Sequence, residues 1–133
     1  MKQIYRADKG GNLTQALSEI TAPKLLLLMS NNEQFEQHVE ELERHFPGVP
    51  SIGCIGGSYG GQTVVADNGV AVIAMEGNLS VVTNVLEQAS TMPVKYIGRL
   101  EEDINKVAAS ENNTICIDFC SGNDACVLTT IYS

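Results

Sequence analysis

An apolar run, a helical stripe and a second short apolar run together constrain the fold of this chain more than any other feature. Lys24 to Ser30 spells KLLLLMS, which lacks polar alternation and is typical of a strand covered on both faces. Ser30 and Glu33 match the S-x-x-E capping box. Apolar residues then repeat at helical spacing at Phe35, Val39, Leu42 and Phe46. With a further apolar run at 50–55, this order predicts a βαβ unit with parallel strands.

A hairpin signal follows this unit. Thr63 to Asp67 and Val70 to Met75 flank Asn68-Gly69, and a two-residue Asn-Gly connection favours a type I′ β-hairpin. The expected fold class is therefore α/β, a mixed β-sheet flanked by helices, with the βαβ unit followed by a β-hairpin.

Weaker patterns extend the prediction toward both ends of the chain. Ile4 and Tyr5 suit a short edge strand, and residues 12–21 suit a helix that Asn12 caps. Later patterns predict a strand over Leu79 to Leu86, a helix with a stripe at Ile97, Leu100, Ile104, Val107 and Ala108, and a strand over Thr114 to Cys120.

The last residues suit a helix that has no closing signal. Asn123 or Asp124 could cap it, and Leu128, Ile131 and Tyr132 would form an apolar face. We therefore expect residues 1–133 to be one domain, incomplete at its C-terminus, from the N-terminal part of a longer protein.

Charge and hydropathy exclude some classes of partner. The net charge of -8 with only eight Lys and Arg residues argues against nucleic-acid binding. No apolar run approaches the roughly 20 residues that span a bilayer, so we expect no membrane insertion. The N-terminus MKQIYRADKGG lacks the apolar block of a secretory signal, which indicates a cytoplasmic protein. In that compartment the four cysteines would be reduced thiols.

The segment PGVPSIGCIGGSYGG, residues 47–61, is the candidate binding site. Gly56 to Thr63 spells G-x-x-x-x-G-Q-T, but Gln62 stands where a phosphate-binding loop needs lysine, and a β-rich stretch follows instead of a helix. Nucleotide hydrolysis is therefore not expected. The segment is either a tight connection or a pocket-lining loop. As a loop it would bind a ligand through backbone N–H groups and the Tyr59 ring; the expected ligand residues are Gly53, Cys54, Ile55, Gly56, Gly57, Ser58 and Tyr59.

Other reactive side chains have simpler interpretations. His38 and His45 lie two helical turns apart, too far for one metal ion, and we expect a solvated helix edge. Glu101 to Asp103 would likewise face solvent. A strand at Thr114 to Cys120 would hold Cys116 and Cys120 about 13 Å apart, which excludes a disulfide. No metal, cofactor or catalytic set is predicted, although Cys54 beside the glycines could be a reactive thiol.

The order of these motifs resembles the N-terminal domain of the FIST family, a sensory module of prokaryotic signalling proteins. The family shows an "fPgvpviGCSTaGE"-like segment followed by an apolar strand pair. The matching positions are Phe46, Pro47, Gly48, Pro50, Ile52, Gly53, Cys54 and one glycine of Gly56 and Gly57. The Ser/Thr and acidic residue that usually follow the cysteine are replaced by Ile55 through Tyr59.

The resemblance implies a non-enzymatic cytoplasmic domain that binds a small molecule, such as an amino acid, and signals to a downstream domain. Chemoreceptor helices, histidine kinases and diguanylate cyclases are outputs in this family, and a homodimer is compatible with such roles. Two alternatives stay open: a small thiol-dependent enzyme or redox sensor that uses Cys54, and a purely structural interaction module.

Overall fold

A computed structural model of the protein describes residues 1–56, 59–60, 63–64, 68–88, 91 and 93–120. The chain divides into two units, Met1–Val81 and Val82–Ser133. The elements of the first are β1 (Lys2–Asp8), α1 (Leu13–Leu17), β2 (Pro23–Ser30), α2 (Phe35–His45), β3 (Ser51–Ile55), β4 (Tyr59–Gly60), β5 (Thr63–Val64) and β6 (Val70–Glu76). Those of the second are a 3-10 helix (Pro93–Tyr96) and α3 (Ile97–Lys106).

The first unit is built on a mixed four-stranded sheet with the order β1-β6-β2-β3. β2 and β3 are parallel and α2 connects them, whereas β6 is antiparallel to both β1 and β2. The βαβ unit and the α/β class are thus confirmed. Leu26, Leu27 and Leu28 are buried in succession, because β2 has strands on both sides and both of its faces are covered.

One face of the sheet packs against the helices. Alternate residues of β2 and β6 point to this face because side chains alternate along a strand. The main core therefore combines every second strand residue with the inner faces of α1 and α2: Ile4, Leu26, Leu28, Val70, Val72 and Ala74 from the sheet, and Leu13, Ala16, Leu17, Ile20 and Leu42 from the helical segments.

The predicted hairpin across Asn68-Gly69 is wrong in its position. Every β6 residue from Val70 to Glu76 pairs with β1, and β2 occupies the other side of the strand, so β6 has no edge left for a hairpin partner. The hairpin that follows the βαβ unit is formed by β4 and β5, with Tyr59 opposite Val64. Local turn chemistry was outweighed by two long-range pairings.

Helix ends were predicted unevenly. Asn12 caps α1 as expected, since its Oδ1 accepts a 3.0 Å hydrogen bond from the Gln15 amide, but the helix ends at Leu17 instead of residue 21. The capping box is wrong, because Ser30 still belongs to β2 and α2 begins only at Phe35. Asn31 Oδ1 instead accepts a 2.9 Å hydrogen bond from the Gln34 amide just before the helix.

The part of the chain after β6 departs more from expectation. α3 is confirmed, but residues 79–86 and 114–120 form no strand, although the sequence predicts one in each. β-branched composition stabilises a strand only when a partner strand is present, and no described strand pairs with either segment. The helix expected after residue 121 lies outside the described residues. Among the residues that the structure describes, no helix is long and apolar enough to cross a membrane.

The buried residue of α3 is acidic. Asp103 is only 7% exposed, so its predicted orientation toward solvent is wrong, whereas Glu101 and Glu102 are exposed as expected. Asp103 accepts a 2.9 Å hydrogen bond from Lys106 Nζ and a 2.6 Å hydrogen bond from Asn84 Nδ2. The hydrogen bond from Lys106, followed by that from Asn84, holds the pKa of the Asp103 carboxyl below its ordinary value. These hydrogen bonds therefore allow the Asp103 carboxylate to be buried on α3.

Candidate functional site

The carboxyl ends of the parallel strands β2 and β3 lie at one edge of the sheet. Ser30 and Ile55 are opposite each other in the register, and Val70, the first residue of β6, pairs with Ser30 on its other side. The Gly56 amide donates a 3.0 Å hydrogen bond to the Ser30 carbonyl. In α/β sheets ligands bind outside the carboxyl ends of the strands. This edge is therefore the candidate functional site.

The predicted ligand residues leave β3 at this edge. Gly53 is closely packed, because a Cβ there would lie 3.3 Å from the Leu28 Cβ and carbonyl oxygen. Among the described residues, no atom lies within 4 Å of the Cβ position of Gly56. Gly57 and Ser58 lie outside the described residues, and Tyr59 is described only as part of β4.

Successive residues of β3 point in opposite directions. Ile55 is 55% exposed, whereas Cys54 is partly buried and pairs in the register with Met29. Because side chains alternate along a strand, Cys54 and Ile55 lie on opposite faces of the sheet. A single ligand beside one of these side chains would not contact both of them. The Gly56 amide is also engaged with Ser30 and is not free for a ligand.

The environment of Cys54 does not activate its thiol. Partial burial raises the pKa of Cys54 above its ordinary value. A nucleophilic or redox-active cysteine needs the opposite shift, since the thiolate is the reactive form. The geometry therefore favours a packing role for Cys54 over a catalytic one.

The prediction of a solvated edge is wrong for His38. Its side chain is 1% exposed, and both ring nitrogens have partners: Nδ1 lies 2.7 Å from Ser30 Oγ and Nε2 lies 2.9 Å from the Gly11 carbonyl. His45, the other histidine of α2, is exposed as expected. The position of His38 could have indicated its burial, because His38 lies four residues before the core residue Leu42 and therefore shares its helix face. Val39, predicted on the apolar stripe, is 43% exposed instead.

Hydrogen-bond chemistry assigns the tautomer of His38. The Gly11 carbonyl can only accept, so His38 Nε2 carries a proton. In the neutral ring Nδ1 then accepts from the Ser30 hydroxyl. A serine bound to a histidine can be a nucleophile, but Ser30 is fully buried and closed to a substrate. The pair therefore fixes the end of β2 rather than performing catalysis.

Sequence reasoning missed a second group of residues at this edge. Asn31 Nδ2 donates to Gln34 Oε1 at 3.0 Å and to the Asn68 carbonyl at 3.1 Å. Gly11, with φ of +80°, lies so close that a Cβ would be 2.8 Å from the Asn68 carbonyl. The contacts of Asn31 and Gly11 with Asn68 join residues far apart in sequence, so no local pattern predicts them.

The described residues contain no group of three or more His, Cys, Asp or Glu side chains placed to hold a metal ion. The side chains that converge on this edge are mainly neutral and hydrogen-bonding: Ser30, Asn31, Gln34 and His38. Such an arrangement can orient backbone and bind polar groups.

Comparison with known protein families finds a match that covers most of the chain. A family model described as FIST N domain matches residues 24–133 of the chain, a range that includes β2, α2, β3 and the glycine segment. Neither the comparison with curated proteins nor that with solved structures finds a significant match.

Proposed function

Since the chain belongs to the FIST family of signal-transduction sensor domains, we propose that it is a cytoplasmic sensor domain that binds a small polar ligand, such as an amino acid. The occupied domain would act on an output domain of a prokaryotic signalling protein, of the chemoreceptor, histidine kinase or diguanylate cyclase type. The observation that carries this proposal is the family match over residues 24–133.

The geometry of the sheet edge supports the location of the site. The segment that begins at Gly53 leaves β3 beside the carboxyl end of β2, where α/β proteins bind ligands. Gly56 adds no side chain there, and no atom of the described residues lies within 4 Å of its Cβ position. The proposed binding residues remain Gly53, Cys54, Ile55, Gly56, Gly57, Ser58 and Tyr59, and a single ligand would contact the side chain of only one of Cys54 and Ile55, because these point to opposite faces of the sheet. Gly56 contributes space in this proposal, because its amide is bound to Ser30.

Signalling then follows from differential affinity. A ligand that binds one arrangement of the segment more tightly than others shifts the population toward it. To raise the population of one arrangement from 1% to 99%, the ligand must bind that arrangement about 10⁴-fold more tightly than the other.

A thermal-shift screen with the twenty amino acids tests the proposal. A ligand at a hundred times its Kd stabilises the folded state by about 2.7 kcal/mol, which raises Tm by several degrees. No shift with any amino acid would refute amino-acid sensing.

The site is tested by replacing Gly56 with valine. No atom of the described residues would clash with the added side chain, so Gly56→Val should fold but lose at least tenfold in affinity for the amino acid that shifts the parent. Gly98→Val is the matched control, because Gly98 also has no atom within 4 Å of its Cβ position. Unchanged binding by Gly56→Val would reject the site assignment.

A further inference from the structure

Two consecutive residues, Ser30 and Asn31, bind the chain at residues 56 and 69, and the stretch between these two points includes residues 56–59 of the proposed ligand segment. The Ser30 carbonyl accepts the Gly56 amide at 3.0 Å, and the Asn31 amide donates to the Gly69 carbonyl at 3.1 Å. Asn31 Nδ2 adds donor contacts to the carbonyls of Asn68 and Gly69 at 3.1 and 3.3 Å. The chain from residue 56 to residue 69 therefore begins and ends at the same point of the sheet.

Helix α2 fixes these two residues from the other side. His38 Nδ1 holds the Ser30 hydroxyl, and Gln34 is bound to Asn31 through both its amide and its side chain. His38 Nε2 also binds the Gly11 carbonyl, which fastens the turn before α1 to the same helix. Among the described residues, only the end of β2 is hydrogen-bonded in this way both to the chain at residues 56 and 69 and to the start of α2.

The Ser30 hydroxyl has one proton and two acceptors within reach. The Asn31 carbonyl lies 3.0 Å from Ser30 Oγ, and His38 Nδ1 lies 2.7 Å from it. With His38 in place, the shorter contact directs the proton to the imidazole. Without an acceptor at Nδ1, the hydroxyl turns to the Asn31 carbonyl and α2 loses its hold on Ser30.

We propose that His38 is a positioning residue that couples the ligand segment to helix α2. By holding Ser30 it fixes the carbonyl that accepts the Gly56 amide, so a change in the Gly56 contact on ligand binding is transmitted to α2 through the same bonds. This inference rests on the proposed function for the identity of the segment. The part that can be measured without a ligand is that the hydrogen bond between His38 and Ser30 stabilises the hydrogen bond from the Gly56 amide to the Ser30 carbonyl.

Two substitutions test the two hydrogen bonds of the His38 ring separately. His38→Asn places an amide near the position of Nδ1 and can still bind Ser30, whereas His38→Gln places one near Nε2 and can still bind Gly11. Amide hydrogen exchange of Gly56, followed by NMR in the full chain, reports the stability of its bond to Ser30. We expect His38→Gln to accelerate Gly56 exchange about five- to tenfold, the effect of one lost buried hydrogen bond, and His38→Asn to leave it near the parent rate.

Controls keep the test decisive. Ser30→Ala removes only the hydroxyl, leaves the Gly11 bond intact, and should accelerate Gly56 exchange as His38→Gln does; it decides the outcome if a His38 variant fails to fold. His45→Gln changes the exposed histidine of the same helix and should have no effect. Equal exchange at Gly56 in His38→Asn and His38→Gln, or an unchanged rate in Ser30→Ala, would overturn the proposal.

The test also separates this inference from the proposed function. If no amino acid binds but Gly56 exchange follows the expected pattern, the ligand class is wrong and the coupling stands. If an amino acid binds and its affinity is the same in the parent, His38→Gln and Ser30→Ala, the coupling fails while the sensor function stands. Where both hold, His38→Gln weakens binding of that amino acid and His38→Asn restores it.

Discussion

Replacing Gly11 with alanine should destabilise the first unit far more than the same change at Gly48. Both glycines have positive φ, +80° and +73°, so an alanine at either position costs about 1 to 2 kcal/mol in left-handed backbone strain. Their surroundings differ, because no atom lies within 4 Å of the Cβ position of Gly48. Gly48→Ala is therefore the matched control for strain alone.

At Gly11 the added methyl group meets two obstacles. Its Cβ would lie 2.8 Å from the Asn68 carbonyl, which Asn31 holds in place, and such overpacking costs about 1 to 3 kcal/mol. It would also lie 2.3 Å from Gln34 Oε1, whose displacement breaks a hydrogen bond from Asn31 worth about 1 kcal/mol. We expect a total of about 3 to 6 kcal/mol for Gly11→Ala, against about 1 to 2 kcal/mol for Gly48→Ala.

Urea denaturation measures this difference. With a slope of about 1.5 kcal/mol per molar urea, the midpoint of Gly11→Ala should lie roughly 1.3 to 2.7 M below that of Gly48→Ala. Exchange of the β2 amides at Leu26 to Leu28 under native conditions gives the same comparison for the first unit alone. Equal midpoints for the two variants would refute the close approach of Gly11 to Asn68.

Two further predictions follow from ionisable groups. The backbone amides of Ala22 and Thr21 donate to Glu76 Oε1 and hold the pKa of this carboxyl below its ordinary value. The ionised Glu76 carboxylate therefore stabilises the folded state at a pH above the ordinary carboxyl pKa. This stabilisation is lost as the pH falls through the lowered pKa of Glu76 in the folded state. Glu76→Gln should flatten the loss of Tm below about pH 5, and Glu33→Gln, at an exposed position, should not; identical acid profiles for the parent and Glu76→Gln would contradict this. In a variant with serine at the other three cysteines, Cys54 should react with a disulfide reagent more slowly than free cysteine at neutral pH, because burial raises its pKa. Faster labelling would restore the thiol-enzyme alternative.

The βαβ unit was predictable because its signals are local and agree with one another. Four leucines in a row at residues 25–28 need a covered strand, and Phe35 and Leu42 need an amphipathic helix. Glycines then mark the departure from β3. The hairpin failed where a strong local turn signal at Asn68-Gly69 met a strand that already had partners on both sides.

The candidate site was predictable only in part. The glycine segment was found from its composition and from the resemblance to FIST domains, and it does leave the sheet at the carboxyl end of a parallel strand. His38 was paired with His45 because the two share a helix and a spacing of seven. Only one of them meets a buried serine and a backbone carbonyl, and both partners come from outside the helix.

The sequence by itself determined the class of fold, the position of α2 and the family, since periodicity and an ordered motif are properties of neighbouring residues. Only the tertiary structure decided which strand closes the sheet beside β2, which histidine is buried, and where residues 56 and 69 are held. These outcomes depend on hydrogen bonds between residues 8 to 38 positions apart, which only the tertiary structure brings within bonding distance.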